Sequence, residues 1–461
     1  MKTKNLFIAG VLAIAGSAFG QLRETNNSTG LGTDNGAISF LTPASGNSST
    51  YIGAEAGRYA STTGAGQNTF MGTLAGSGIA TVKNTGTLNT FVGFRAGSEI
   101  TSGSTNTFFG NEAGRFNTEG GANVFVGNAS GWANISGINN TFLGSASGFQ
   151  NQGSNNTFIG GGSGQAHIAG DSNIFIGINT GSNTTGTENI FMGFQSGINA
   201  GGSSYNVFIG NHTGGGNVGD GQNVFVGHAA GAGNITGFGN IMVGSNTGLN
   251  ATGYQNVFVG QSAGRNATGS KNVFLGVDAG QNETASNKLY IANSNTTTPL
   301  IYGDFNAGKV GIGGTAHPSG SADGFPSTAG SVNVSGYKLF VKGGILTEEV
   351  RVSLANTWAD YVFAGDYKLA TLPEVEKYIA ANGHLPNVPS AKQVKEDGIE
   401  LGDMARIQQE KIEELTLYAI AQDKQLTEQT ITLTEQTKKL EQQQKEIDEL
   451  KAAVKALMAK Q

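Results

Sequence analysis

The sequence of 461 residues contains no cysteine, so the chain forms no disulfide, no thiolate zinc site and no cysteine nucleophile. Charged residues make up only 13% of the chain, about half the share of an ordinary soluble domain. The formal net charge of −6 provides no basic footprint for a nucleic-acid partner. Proline is rare, with 7 residues beside 74 glycines, and the glycines lack the every-third-residue period of a collagen helix. This composition favours a repetitive structural protein over an enzyme.

Long hydrophobic runs are also missing, apart from one at the amino terminus. Residues 1–20 are predicted to be a secretory signal peptide, because two lysines precede an apolar run at 6–15 and a small-residue cleavage site at 18–20. The run is shorter than the ~20 residues that span a bilayer. We therefore expect a secreted or cell-surface protein with no transmembrane segment in the mature chain.

Changes of composition divide the rest of the chain into five segments. A lead-in rich in glycine, asparagine and serine precedes a tandem array, and a mixed region with most of the prolines follows the array. The last segment has no glycine or proline and is rich in Glu, Gln, Lys and Leu. The predicted boundaries are 21–48 for the lead-in, 49–287 for the repeat array, 288–336 for a β connector, 337–403 for a small α+β unit and 404–461 for a coiled coil.

The array repeats the pattern Asn-x-Phe-apolar-Gly-x-x-small-Gly every 16 or 17 residues, with spacings of 19 and 21 near its amino end. Met242 is the one exception in the aromatic column, and Tyr51 and Tyr290 are candidate end members. A fixed period this short indicates a solenoid, in which each unit buries its apolar face only against its neighbours. The predicted structural residues of two consecutive units are Asn106, Phe108, Gly110, Gly114, Asn123, Phe125, Gly127 and Gly131.

The repeat length favours strands over helices. Sixteen or 17 residues suffice for two short strands and two turns, and coils stacked ~4.8 Å apart would give about fourteen coils in a rod of roughly 65 Å. The glycines are expected at the corners, where a positive φ or a close approach of the chain excludes a side chain. The asparagines are expected to form a ladder of stacked amides, which is a structural role rather than a ligand-binding one.

The residue that follows each aromatic is apolar as well, as Val126, Leu143 and Ile159 illustrate. Alternate residues of a strand point to opposite faces, so this second column points away from the aromatic column. A strand that is apolar on both faces needs cover on both, and a single coil has only one interior. The sequence therefore predicts that another copy of the chain covers the second column.

The Asn-x-Phe-apolar-Gly-x-x-Ala-Gly unit resembles the head repeats of trimeric autotransporter adhesins, whose units run Asn-x-Val-Ala-Ile-Gly. The resemblance covers about half of the chain, and the units here are slightly longer. It implies a left-handed parallel β-roll with three chains side by side. The asparagine and glycine columns would then be ladder and corner residues.

Beyond the array, residues 288–314 and 337–352 alternate apolar and polar residues like short strands, and residues 372–379 form a short amphipathic helix pattern. This tract resembles the carboxyl-terminal region of secreted tail-fibre-like proteins, and it is similar in position to the intramolecular chaperone domains that end phage tail spikes and trimerise the fibre. The unit at 337–403 is accordingly expected to be tail-fibre-like or chaperone-like. Those domains carry a Ser-Asp cleavage motif, whereas residues 347–349 here are Thr-Glu-Glu. Self-cleavage is therefore not expected.

The last segment has apolar residues at heptad spacing, which predicts a coiled coil. Glutamines occupy several intervening seam positions, and a shifted frame that places Thr430 and Thr437 in the seam is an alternative. The predicted trimer seam consists of Leu426, Leu433, Leu440, Ile447, Leu450, Val454 and Leu457. The predicted fold is thus mainly β, with a β-solenoid, a small α+β connector and a carboxyl-terminal coiled coil, assembled as a homotrimer.

The sequence predicts no catalytic residue, no cofactor and no metal site. Five histidines share no metal-ligand spacing, and the array has too few aspartates for a calcium-binding β-roll. The predicted function is a secreted, trimeric structural or adhesin-like fibre of the bacterial cell surface. Its expected partners are further copies of itself and an unknown surface or glycan receptor, bound through the β-roll head.

Two other functions are compatible with the sequence. A tail-spike-like protein that binds or degrades carbohydrate is the first of them. Ice binding ranks last, because it requires a regular outward threonine column. The residue before the aromatic is threonine only at Thr69, Thr90, Thr107, Thr141 and Thr157 among the full units.

Overall fold

The computed structural model describes residues 21–25, 28–32, 37–41, 49–61, 66–217, 219, 221–234, 236–314, 323–353 and 358–459. The predicted signal peptide lies outside these residues. The chain divides into two compact units. The first comprises Met1–Phe325 and Tyr337–Gly344, and the second comprises Pro326–Gly336 and Ile345–Gln461.

The repeat array is a parallel β-solenoid, which confirms the fold predicted from the repeat length. Of the described strands, fifteen pair in parallel in chain order, from Ser49–Gly53 to Lys288–Ile291. The strands between these two are Thr69–Met71, Thr90–Val92, Thr107–Phe109, Val124–Val126, Thr141–Leu143, Thr157–Ile159, Ile174–Ile176, Ile190–Met192, Val207–Ile209, Val224–Val226, Ile241–Val243, Val257–Val259 and Val273–Leu275.

Each coil has one strand, so the expectation of two strands per coil is wrong. The rest of the coil is a succession of turns, which still hydrogen-bond to the next coil. The amide of Gly97 donates to the carbonyl of Ala113 at 2.9 Å, and the amide of Gly114 donates to that of Ser130 at 2.9 Å. Because the glycines and other left-handed residues bend the chain so often, no second run of extended residues forms.

The register places each aromatic directly opposite the next. The phenylalanine side chains of this column are fully buried, and from Tyr51 to Phe225 successive rings stack with centroids 4.6 to 5.1 Å apart. Met242 interrupts the stack, which resumes between Phe258 and Phe274 at 4.7 Å. Stacked aromatic rings therefore form the core of the solenoid.

The asparagine column forms a second ladder inside the coils. The side-chain oxygen of Asn106 accepts the backbone N–H of Asn123 at 3.0 Å, and its amide nitrogen donates to the carbonyl of Gly120 at 2.8 Å. The same oxygen-to-amide bond recurs from coil to coil. The ladder begins at the hydroxyl of Ser49 and ends at the amide of Lys288. These bonds satisfy the polar groups that burial would otherwise leave unpaired.

The two glycine columns exclude side chains for different reasons. Gly110 has φ +150°, and a Cβ there would lie 2.2 Å from the carbonyl oxygen of Gly127 on the next coil. Gly114 has φ +58°, and a Cβ there would lie 2.4 Å from the ring of Phe108. The first column therefore lets coils approach, and the second makes room for the aromatic ring of its own coil.

Two further columns are left-handed although most of their residues are not glycine. Thr105 has φ 60° and Glu112 has φ 55°, and equivalent residues of other coils share these values. Each amide donates to the preceding coil, Thr105 to the carbonyl of Thr87 at 2.9 Å and Glu112 to that of Phe94 at 2.8 Å. Bonding between coils thus stabilises a conformation that residue type alone does not indicate.

Antiparallel strands flank the parallel stack. Before it come Gln21–Thr25, Ser28–Gly32 and Ala37–Leu41. After it, Ile301–Asp304 pairs antiparallel both with Lys288–Ile291, the last strand of the stack, and with Lys309–Ile312. Leu339–Val341 pairs in parallel with Lys309–Ile312. The ring of Tyr290 stands at 86° to Phe274, and Lys288 forms a buried ion pair with Asp304 at 2.6 Å. This arrangement closes the carboxyl-terminal end of the stack.

The second unit is mainly helical. Its described elements are a small hairpin of Thr328–Ala329 and Val332–Asn333, a 3-10 helix at Ala359–Phe363 and helices Leu372–Asn382, Ala391–Asp397 and Leu401–Met458. The long helix Leu401–Met458 confirms the helical prediction for the last segment. Within residues 337–352, only Leu339–Val341 forms a strand, and it belongs to the first unit. Among the residues described here, no helix is both long and apolar enough to cross a membrane.

Candidate interaction surfaces

The residues predicted from the repeat lie inside the solenoid. Asn106, Phe108, Asn123 and Phe125 are fully buried, and the accompanying glycines line the backbone contacts described above. Their polar atoms bond to neighbouring coils, so these columns hold the fold together and offer no group to a ligand.

The surface of the sheet is largely apolar: the residue after the aromatic is apolar in every strand, and the residue before it is valine or isoleucine in eight strands and threonine in five. We define the outer strand face as the residues on either side of the aromatic column in the strands from Thr69–Met71 to Val273–Leu275. Phe109 is 57% exposed and Leu143 is 46% exposed, whereas the aromatics between such residues are buried. With thirteen strands ~4.8 Å apart and three residues wide, this face measures roughly 60 Å by 10 Å. A largely apolar strip of about 600 Å² is at the upper end of what a monomer ordinarily leaves exposed.

The predicted seam residues of the long helix are exposed in the single chain. Leu433 and Leu440 are each 64% exposed, and Leu457 is 69% exposed. Ile447, Leu450 and Val454 line a shallow groove together with Met458 near the end of the helix. Seven-residue spacing of exposed apolar side chains is the pattern that partner helices cover in a coiled coil.

The start of the long helix is held by tyrosines of the same unit. The hydroxyl of Tyr361 donates to Glu410 and that of Tyr367 to Glu414, while Lys411 lies 2.9 Å from Glu410 and 2.8 Å from Glu414. Burial raises the pKa of Glu410, but the hydrogen bonds from Tyr361 and Lys411 outweigh it and lower the pKa below its usual value. These contacts fix the first turns of the helix.

His167 is the most deeply buried histidine of the array. Its Nδ1 lies 2.8 Å from the hydroxyl of Thr184, and its Nε2 lies 3.2 Å from the amide of Asn173. Burial disfavours the imidazolium and lowers the pKa to about 4, although hydrogen bonds and the charge of Asp171 act in the opposite direction. His167 is therefore a neutral core residue.

The other histidines that the structure describes do not combine into a site. His212 and His228 lie on adjacent coils with ring centroids 6.1 Å apart. Within the described part of the chain, no group of three or more histidine, aspartate or glutamate side chains could hold a metal ion. The described histidines therefore give no metal-ligand set.

Comparison with protein-family models, with curated proteins and with solved structures finds no match to this chain.

Proposed function

We propose that the protein is a secreted, homotrimeric fibre of the bacterial cell surface, with the solenoid as its structural or adhesive head. The observation that carries the proposal is the outer strand face, a largely apolar strip that runs along the solenoid. The proposal includes no catalytic step. The resemblance of the repeats to trimeric adhesin heads favours three copies.

Copies of the same chain are suitable partners for this strip. The strip has the same length on every copy, so the strips of three copies can meet along a common axis over the whole solenoid. Each strip has an area on the order of 600 Å², so three strips would together bury roughly 1,800 Å².

The helix seam supports self-association independently. Its leucines are exposed although they keep coiled-coil spacing, and coiled-coil partners would bury them. Glutamines at intervening positions, such as Gln429 and Gln436, weaken such a coil but restrict its register. Both extended apolar surfaces of the chain therefore favour assembly with further copies.

The first prediction is that charge on the outer strand face prevents assembly. In the double variant Val243→Lys and Val259→Lys, two lysines would have to be buried without partners, which costs several kcal/mol per charge. Sedimentation equilibrium should give the mass of three chains for the wild type and a lower mass for this variant.

The control places the same charges two residues further along each coil, in the turn. Ser245→Lys and Gln261→Lys add lysine beside the strip rather than on it, so this variant should keep the wild-type mass. A wild type that sediments as a monomer would contradict the proposal, and so would equal masses for both variants. Fractionation of cells tests the proposed location, since a purely cytoplasmic protein is inconsistent with a surface fibre.

A further inference from the structure

The arginines of the array are concentrated in its first coils. The array contains four arginines, Arg58, Arg95, Arg115 and Arg265, and the first three line a single concavity of about 400 Å³. Arg95 and Arg115 lie on adjacent coils, and Arg58 lies two coils before Arg95. The stacking of coils therefore brings together residues that are far apart in sequence.

The regular repeat is interrupted at the same place. The coil between Phe70 and Phe91 is the longest of the array, and its extra residues form a small turn with a bridge between Ile79 and Val82. Residues 77–80 of this turn line the concavity with the arginines. Insertions in a repeat array commonly mark its binding face.

Each arginine is positioned by a carboxylate and an aromatic ring. The guanidinium of Arg115 contacts Glu112 at 3.0 Å and lies 4.8 Å from the ring of Phe116. Arg58 contacts Glu55 at 2.9 Å and lies over the ring of Tyr59. Arg95 approaches Glu112 at 3.7 Å.

Donors remain available in the concavity. The contacts with Glu55 and Glu112 use the Nη1 atom of each guanidinium, and a guanidinium has five N–H donors. Arg58 and Arg95 are half and about one third exposed. The site thus presents a row of forked donors, which suits carboxylate groups.

We propose that this concavity, which we name the arginine concavity, binds an acidic polysaccharide through the carboxylates of its uronic acid units. Donors on three coils match a linear polymer that carries acidic groups at regular intervals. Glu99 and Tyr59, which also line the concavity, can bond to sugar hydroxyls. Three glutamates balance the charge of three arginines, so the site would recognise carboxylates through directed guanidinium hydrogen bonds rather than through net charge. Nucleic acid, whose binding depends on net positive charge, is therefore disfavoured.

The concavity lies apart from the outer strand face. Its lining residues come from the turns, and none belongs to a described strand. If further copies cover the outer strand face, the residues that line the concavity therefore lie outside the covered strip. The arginine concavity gives the head of the proposed fibre a class of ligand. Its biological role therefore rests on the proposed function.

The test is binding of the full-length protein to immobilised polygalacturonate or alginate, with neutral dextran as the reference polymer. The double variant Arg58→Ala and Arg95→Ala should bind the uronate polymers about tenfold more weakly or worse, and wild-type binding should weaken with salt. Arg265→Ala is the matched control, because Arg265 follows the second glycine of its coil as Arg58 and Arg115 do. It should bind like the wild type.

Three results would overturn the inference: no binding of the wild type to either uronate polymer, equal binding to dextran, or the same loss in Arg265→Ala. Circular dichroism and sedimentation of each variant separate this outcome from misfolding. A wild type with the mass of three chains that binds no uronate contradicts only the inference. A monomer that binds uronate contradicts only the proposed assembly.

Discussion

At the scale of single residues, the interior of the solenoid selects side chains by their charge as well as by their shape. His167 occupies a buried column whose members in neighbouring coils include Asn134, Asn151 and Thr184. Its imidazole is neutral because water does not reach it. Histidine at this position makes the stability of the solenoid depend on pH.

The second prediction follows from this burial. The pKa of His167 is about 4 in the fold and near 6.5 in an unfolded chain, so the unfolded state takes up the proton first as the pH falls. The stability that the neutral side chain contributes is complete above about pH 6.5 and is lost progressively towards pH 4. The loss is on the order of 3 kcal/mol.

The measurement compares the wild type with His167→Asn. This substitution gives the coil of His167 the same residue type that Asn151 provides at the equivalent position of the preceding coil. As the pH falls from 7 to 4.5, the free energy of unfolding of the wild type should decrease relative to that of the variant. A difference that does not depend on pH would contradict the buried neutral histidine. Comparing the two proteins removes the contribution of all other titrating groups.

The sequence predicts those columns of the solenoid in which one residue type dominates. Asn106, Phe108 and Gly114 recur at fixed spacing, and each has a role that only a few side chains can perform. The column of Ile100, Asn117 and His167 is equally buried, but its residue types vary, so no sequence pattern indicates it. The arginine concavity was missed for another reason, since stacking of coils brings its residues together.

At the scale of elements, both the aromatic stack and the hydrogen-bonded turns stabilise the packing of neighbouring coils. The strands are only three residues long, so the sheet alone gives each coil few ladder bonds. The turns add backbone bonds between coils, and the rings add contact along the axis. The expectation of a second strand failed because period and composition do not distinguish a strand from a series of bonded turns.

The third prediction uses the interruption of the stack at Met242. Its side chain is fully buried and faces Gly248 as Phe258 faces Gly264, so a ring has a site of the same form. Met242→Phe should join the two parts of the stack and raise the free energy of unfolding by about 1–2 kcal/mol. Phe225→Met, which creates a second interruption, should lower the free energy of unfolding. Urea unfolding followed by circular dichroism measures both, and destabilisation by Met242→Phe would show that the ring does not fit.

At the scale of the whole molecule, the array has a problem of register. Its coils are nearly alike, so two copies could pair with an offset of one or more coils. The carboxyl-terminal region has no repeat of this kind. We expect it to bring the copies together before the arrays pair, so that folding proceeds from that region into the array.

The fourth prediction is that removal of residues 404–461 prevents correct assembly. The truncated chain should form aggregates or species of mixed mass, because nothing aligns the arrays. Replacing the segment with an unrelated three-stranded coiled coil is the control, and it should restore a single trimeric species. A truncated chain that is secreted as a soluble trimer with native β content would show that the segment is not required.

The order of contacts in the solenoid has a mechanical consequence. Each coil bonds only to the coil before it and the coil after it, so a pull on the chain can detach coils one at a time from an end. A detached coil of 16 or 17 residues extends to roughly 55 Å, although it occupies only ~4.8 Å of the stack. If the protein forms the surface fibre proposed above, that fibre would lengthen in steps under tension, and a cell attached through it would slow down before the attachment failed.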